Sequence, residues 1–178
     1  QTFASPTTSK IIDDFVKKYP NVNHVIYDTV SSSSAIEAYY NTFGFSGMAD
    51  YDFSKSDFIV SVGADFLGDW QGGGYDLGYA RKRIPNKKSG KALMSKHYQF
   101  ESNMSLTGAN ADVRVPCNSS EQKAILAYIY NSIFQTDIDI PLNNSIRKYA
   151  DEIIVSLKEN GKNSVIVSGI EDVYAQEL

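Results

Sequence analysis

A chain of 178 residues that is 42% hydrophobic and 21% charged can bury one substantial core, or one lobe and part of another, and its composition is that of neither a disordered nor a membrane-spanning protein. No apolar stretch approaches the roughly 18–20 residues that a bilayer span needs, and a net charge of -4 with a pI near 5.1 weighs against nucleic acid as a partner. The lone cysteine, Cys117, excludes an internal disulfide and by itself holds neither an iron–sulfur cluster nor a structural zinc ion, so it leaves the redox compartment open.

Ser5 and Pro6 supply an N-cap and a proline at the first helical position. Ile11, Ile12, Phe15, Val16 and Tyr19 then form one apolar stripe of a helix that Pro20 stops. Residues 22–28 read as the first strand. Ser34 with Glu37 forms a capping box that opens a helix through Ile36, Tyr39, Tyr40 and Phe43, closed by Gly44. The apolar run at 57–62 ends at Gly63 and reads as a strand buried on both faces, with 64–74 forming a rim at its carboxyl end, the edge where open α/β sheets bind ligands. A helix near 75–84, a strand near 93–100 and a short strand at 112–115 follow. Ser119 and Gln122 make a second capping box, opening a helix with Ile125, Tyr128, Ile129 and Ile133 on one face. Beyond a link containing Pro141, a helix carries Ile146, Ala150, Ile153, Ile154 and Leu157 to Gly161, and 164–170 reads as a further buried strand.

Alternation of strands and helices predicts an α/β fold, a mostly parallel Rossmann-like sheet with helices on both faces. We expect an α/β domain over 1–136, then a linker, a helix and the start of a further strand–helix unit over 137–178. The opening residues carry neither the positive nor the apolar region of an export signal. The start at Gln1 and the end just after a strand point to a piece of a longer chain.

Several groups could carry chemistry, and each has a plainer reading. Gly72, Gly73 and Gly74 precede a helix but lack the lysine and hydroxyl of a phosphate loop, so a flexible loop is simpler. His24 and His97 fall in predicted strands without partners at metal-ligand spacing and read as structural. Asp65 and Asp69 could form an acid–base pair at the strand end, against the simpler reading of a solvated loop. Cys117 reads as a quiet buried thiol, and no Gly-x-Ser-x-Gly elbow occurs. Residues 77–100 contain no acid but carry Arg81, Lys82, Arg83, Lys87, Lys88, Lys91 and Lys96. That stretch is either a solvated helix end or a docking face for an acidic partner or for anionic headgroups, with Arg81, Arg83, Lys87 and Lys88 as its candidate contacts.

The segments 3–9 (FASPTTS), 55–67 (KSDFIVSVGADFL), 97–102 (HYQFES) and 107–116 (TGANADVRVP), in this order, resemble the large-subunit core of molybdopterin oxidoreductases. More narrowly, they resemble the molybdopterin-like part of the iron–sulfur subunit of bacterial quinol:cytochrome c oxidoreductase (alternative complex III). Three turns depart from the pattern of active members. Gly63-Ala64-Asp65 stands where a Gly-Ser-Asn or Gly-Ala-Asn turn helps hold the pterin, and Glu101-Ser102 stands in place of an Asp-Pro-Arg-like segment. Cys117-Asn118, after Pro116, replaces the Gly-Thr of a Pro-Gly-Thr-Asp turn.

The resemblance implies a non-catalytic scaffold segment of a larger molybdopterin oxidoreductase-like subunit. Its parent would be a membrane-associated respiratory-chain complex that oxidises quinol. Gly63, Ala64, Asp65, Glu101, Ser102, Cys117 and Asn118 would be vestiges of the cofactor-facing turns. No catalytic residue, cofactor or metal is then expected in this segment, and the iron–sulfur clusters used in electron transport would lie elsewhere in the parent chain. The implied partners are the other subunits of the complex, with no nucleic acid and no direct membrane span. The implied place is the periplasmic face of the bacterial inner membrane, peripheral through the parent complex. The alternative is a pterin-dinucleotide-binding domain of an active molybdopterin oxidoreductase. A third reading, on fold alone, is a nucleotide-binding or hydrolase module using the 64–74 loop.

Overall fold

The computed structural model describes residues 5–28, 30–85, 93–136 and 138–178, and the chain divides into two compact units, Gln1–Ser32 and Ser33–Leu178. In the first, helix α1 (Pro6–Lys18) is capped by Ser5, whose Oγ accepts the Thr8 N–H at 3.4 Å, and Lys17 and Lys18 sit in its last turn where the helix dipole favours cations. Its apolar stripe is not a core face: no residue of α1 is buried, and Ile11 is 63% exposed. Residues 22–28 are not a strand, contrary to the reading from sequence, and Val25 is 79% exposed. A short β-branched run shows only that a segment fits a pleated surface, and a ladder neighbour decides whether it becomes a strand.

The second unit is built on β1 (Phe58–Val62), β2 (Lys96–Glu101), β3 (Val113–Pro116) and β4 (Ser164–Ser168), in the order β3-β2-β1-β4 and all parallel. Phe58 stands opposite Lys96 and Ser164, and Tyr98 opposite Val113. All five residues of β1 are buried, as expected for the middle of a parallel sheet covered on both faces. Phe58, Val60 and Val62 pack with Tyr98, Phe100 and Val115 against α5 (Ser119–Phe134) and α6 (Asn144–Asn160), through Ile125, Ile129, Ala150 and Ile153. Ile59 and Val167 face the opposite layer, where Phe53 and Phe66 stack at 4.3 Å beside Tyr75, the N-cap of α3 (Asp76–Arg83), and Tyr79 within that helix. Full burial of each large side chain here contributes about 1.5–3 kcal/mol. No helix among the described residues is long and apolar enough to cross a membrane.

The short helices α2 (Ser33–Phe43), α4 (Leu106–Ala109) and α7 (Val173–Glu177) complete the unit. Helix α2 starts one residue before the expected Ser34 cap, and Gly44 at φ +79° closes it with an N–H donated to Tyr40 O. Helix α5 is capped by Asn118 and Glu121, one residue ahead of the expected Ser119–Gln122 pair: Glu121 Oε2 accepts the Asn118 N–H at 2.8 Å. Residues on both sides of position 137 share this sheet, since β4 pairs directly with β1.

The connection from β1 to β2 runs over one face and that from β3 to β4 over the other, so the chain reverses its winding between β1 and β4. At their carboxyl ends the backbones nearly touch. Gly169 donates its N–H to Val62 O at 2.9 Å, and a Cβ on Gly169 would lie 2.2 Å from the Gly63 carbonyl oxygen. Gly169→Ala is therefore expected to destabilise the fold by roughly 3 kcal/mol or more, because the obstacle is backbone that cannot rotate away. Urea unfolding of wild type and variant measures it.

Candidate functional site

The three turns that depart from the family pattern lie at the carboxyl ends of β1, β2 and β3. A cleft of about 190 Å³ lies there, lined by Gly63, Asp65, Glu101, Ser102, Asn103, Ser105 and Gln122. Gly63 leaves β1 at φ +69°, a conformation that glycine adopts freely, and a Cβ there would sit 2.7 Å from Gln122 Oε1. Ala64 is fully buried, its carbonyl accepting hydrogen bonds from Ser61 Oγ and Gln99 Nε2.

The two acids of the cleft are occupied within the chain. Asp65 Oδ1 accepts the Thr107 N–H at 2.9 Å and the Thr107 hydroxyl at 2.7 Å, and Thr107 Oγ1 in turn accepts the Leu67 N–H. Glu101 is 4% exposed and ends β2. Its Oε1 accepts Arg114 Nε at 2.5 Å and the Ser105 N–H at 3.2 Å, while Oε2 accepts Ser105 Oγ at 2.5 Å and Gln99 Nε2 at 3.3 Å. Burial raises the Glu101 carboxyl, but the bonds from Ser105 and Arg114 outweigh it and hold the group below its ordinary value. Gly108 permits this packing, since a Cβ there would fall within 1.9 Å of Glu101 Oε1.

Of the remaining turn residues Ser102 lines the cleft, and the third turn lies next to it. Ser102 Oγ lies 3.2 Å from Ser119 Oγ and accepts Gln122 Nε2 at 3.3 Å, and Asn118 caps α5. Cys117 is buried beside them, its N–H donated to Glu101 O, and burial with the nearby Glu121 charge pushes its thiol up to about 11. A thiol held protonated is a poor nucleophile. Asp69 is exposed and lines no part of the cleft, so it makes no pair with Asp65 there. Gly72, Gly73 and Gly74 all take positive φ in a separate loop.

His24 is exposed in the irregular 22–28 segment, whereas His97 is fully buried in β2. Tyr79 donates its hydroxyl proton to Asn110 O at 2.9 Å, so at 3.2 Å His97 Nδ1 must be the donor to the phenol oxygen. Its Nε2 is buried without a hydrogen bond among the described residues. Burial lowers the imidazole to about 4, so it stays neutral. Among the described residues no cluster of three or more His, Cys, Asp or Glu side chains could hold a metal ion.

Among the described residues of the basic stretch, Arg83 and Lys82 are tied down. Arg83 makes a two-pronged pair with Asp112 at 2.6 and 2.9 Å, donates to Ser95 O, and lies over the Tyr79 ring. Lys82 Nζ meets Asp57 at 2.5 Å. Arg83 is thus a staple between α3 and the start of β3, and of the two described members of the candidate docking group Arg81 is the exposed one. Lys87 and Lys88 lie outside the described residues.

The sequence matches no family model and no curated protein. Geometry alone defines a class: a parallel α/β unit whose carboxyl-edge cleft is small, carries two carboxylates and is crossed by internal hydrogen bonds. At about 190 Å³ it falls below the roughly 300–1,000 Å³ of clefts that bury sizeable ligands.

Two outcomes follow from these contacts. Because the folded His97 value lies below the ordinary 6.5, the folded chain binds fewer protons than the unfolded one between pH 6.5 and about 4. Stability is therefore full above that window and falls by up to roughly 3 kcal/mol as the pH drops through it. His97→Gln should flatten the pH dependence of unfolding there. Arg83→Ala should lower stability by roughly 1.5–3 kcal/mol by breaking charge-assisted bonds to Asp112, and thermal unfolding reads this directly.

Proposed function

We propose that this chain is a non-catalytic scaffold segment of a molybdopterin oxidoreductase-like iron–sulfur subunit, within a respiratory quinol-oxidising complex at the periplasmic face of the bacterial inner membrane. The observation that carries the proposal is how the three departing turns are used. Two of them, at Gly63–Asp65 and Glu101–Ser102, line one cleft with the third turn beside it, and the carboxylates of that cleft are engaged by contacts within the chain.

The residues present do not fit a pterin dinucleotide. Its pyrophosphate would meet the Asp65 carboxylate, and like charges about 4 Å apart at an effective dielectric near 20 repel by about 4 kcal/mol before screening. Arg114 could neutralise an anion, but it is spent on Glu101. Cys117 presents a side chain where a glycine would allow close backbone approach. What remains for the segment is shape: a rigid parallel sheet whose rim is satisfied internally, as a structural layer between electron-carrying parts requires. Clusters would lie outside it, and the electron path would bypass the cleft.

The protein, expressed in a host that makes the molybdenum cofactor, is expected to carry no stoichiometric molybdenum, tungsten or pterin. In native gels of membranes from the source cells, the chain should migrate with a complex that contains iron and cytochrome and oxidises quinol. About one equivalent of metal and pterin per chain would overturn the scaffold reading and favour the cofactor-binding alternative. Migration away from every quinol-oxidising complex would overturn the respiratory assignment.

A further inference from the structure

The two edges of the sheet are finished differently. Edge strand β3 ends in Pro116, which donates no hydrogen bond, and carries Arg114. Proline and charge are the usual devices that keep an open edge from pairing with another chain. Edge strand β4 has neither. It reads Ser164-Val165-Ile166-Val167-Ser168, and among the described residues no strand pairs with its outer side. Ile166 at its middle is 37% exposed, while Val167 beside it is buried.

We propose that β4 is a self-association edge, through which two copies of this chain pair antiparallel about a two-fold axis at Ile166. The strand is a palindrome, so the axis sets Ile166 against itself, Val165 against Val167 and Ser164 against Ser168. Opposed residues of an antiparallel pair point to the same face, so every cross-strand pair matches in size and polarity. An axis perpendicular to the sheet also sets the α5–α6 face of one copy beside the same face of the other, continuing both layers across eight strands.

Charge selects the antiparallel direction. Exposed Lys162 precedes the strand, and Glu171 and Asp172 follow it. Antiparallel pairing brings Lys162 of each copy to the acidic end of the other, whereas parallel pairing would set like charges together. A second apolar contact is available beside the edge. A groove of about 180 Å³ there is lined by Ile166, Tyr51, Tyr130, Phe134 and Leu178, and Phe134 is 63% exposed. A slip of one residue would turn Ile166 to the other face and away from this groove, which fixes the register.

Sedimentation velocity of the full chain across a concentration series tests the proposal. A reversible dimer is expected, weakened about tenfold or more by Lys162→Glu and restored by the paired change Lys162→Glu with Glu171→Lys. Ile166→Lys should abolish it. As a check that does not depend on a charge beside the core, Ile166→Cys in a Cys117→Ser background should form an interchain disulfide on mild oxidation, since directly opposed strand positions lie within disulfide reach. A wild-type chain that stays monomeric throughout overturns the proposal. So does a dimer that both charge variants leave unchanged, or the absence of cross-linking at position 166.

Discussion

Strand β1 is paired on both edges and buried on both faces, and the second unit takes its arrangement from that constraint. A strand in this position can offer only apolar or internally bonded side chains, so its chemistry is pushed to its ends. At the amino end, Asp57 anchors Lys82 of α3. At the carboxyl end, Gly63 turns the chain out of the sheet into the region where β2 and β3 also finish. The two helical layers then lock opposite faces: the aliphatic α5–α6 layer on one, and an aromatic layer around Phe53 and Phe66 on the other.

The polar side chains on the aromatic face have a common logic. His97, Gln99 and Glu101 alternate along β2 and are all nearly or fully buried. Each is placed by a different means. His97 is kept neutral by burial and oriented by the Tyr79 contact, and Gln99 reaches Ala64 O, while Glu101 retains its charge because Arg114 and Ser105 answer it. A column of this kind costs stability wherever a member lacks a partner. Nε2 of His97 and Oε1 of Gln99, which make no well-formed hydrogen bond among the described residues, are its weakest points.

Long periodic segments were legible from residues alone. The stripes of α5 and α6 and the apolar run of β1 each carry enough positions to exclude the other period. The 22–28 run, with a comparable pattern, shows the limit: whether such a segment becomes a strand depends on a neighbour that local sequence does not name. The helix cap at Asn118 was missed by one residue because Ser119 and Gln122 have the same spacing and chemistry as Asn118 and Glu121. At the cleft, the turn at Gly63 was readable from its glycine. The Asp65–Thr107 bonds, which join residues 42 apart, were not, and the Glu101–Arg114 pair exists only through the β2–β3 register. A lone arginine between Val113 and Val115 was the one available signal that a counter-charge lay on the neighbouring strand.

The fit of Glu101 against Gly108 ties two positions into one heritable unit. With a glutamate at 101, no side chain larger than hydrogen can enter at 108 without displacing a carboxylate held by three neighbouring residues. Shortening residue 101 first would remove that barrier and free position 108 to drift, but it would leave Arg114 without its counter-ion. The order in which these sites can change is therefore dictated by sterics, with the acid obliged to go before the glycine. Any lineage that placed a larger side chain at position 108 would have to pass through that same sequence of replacements.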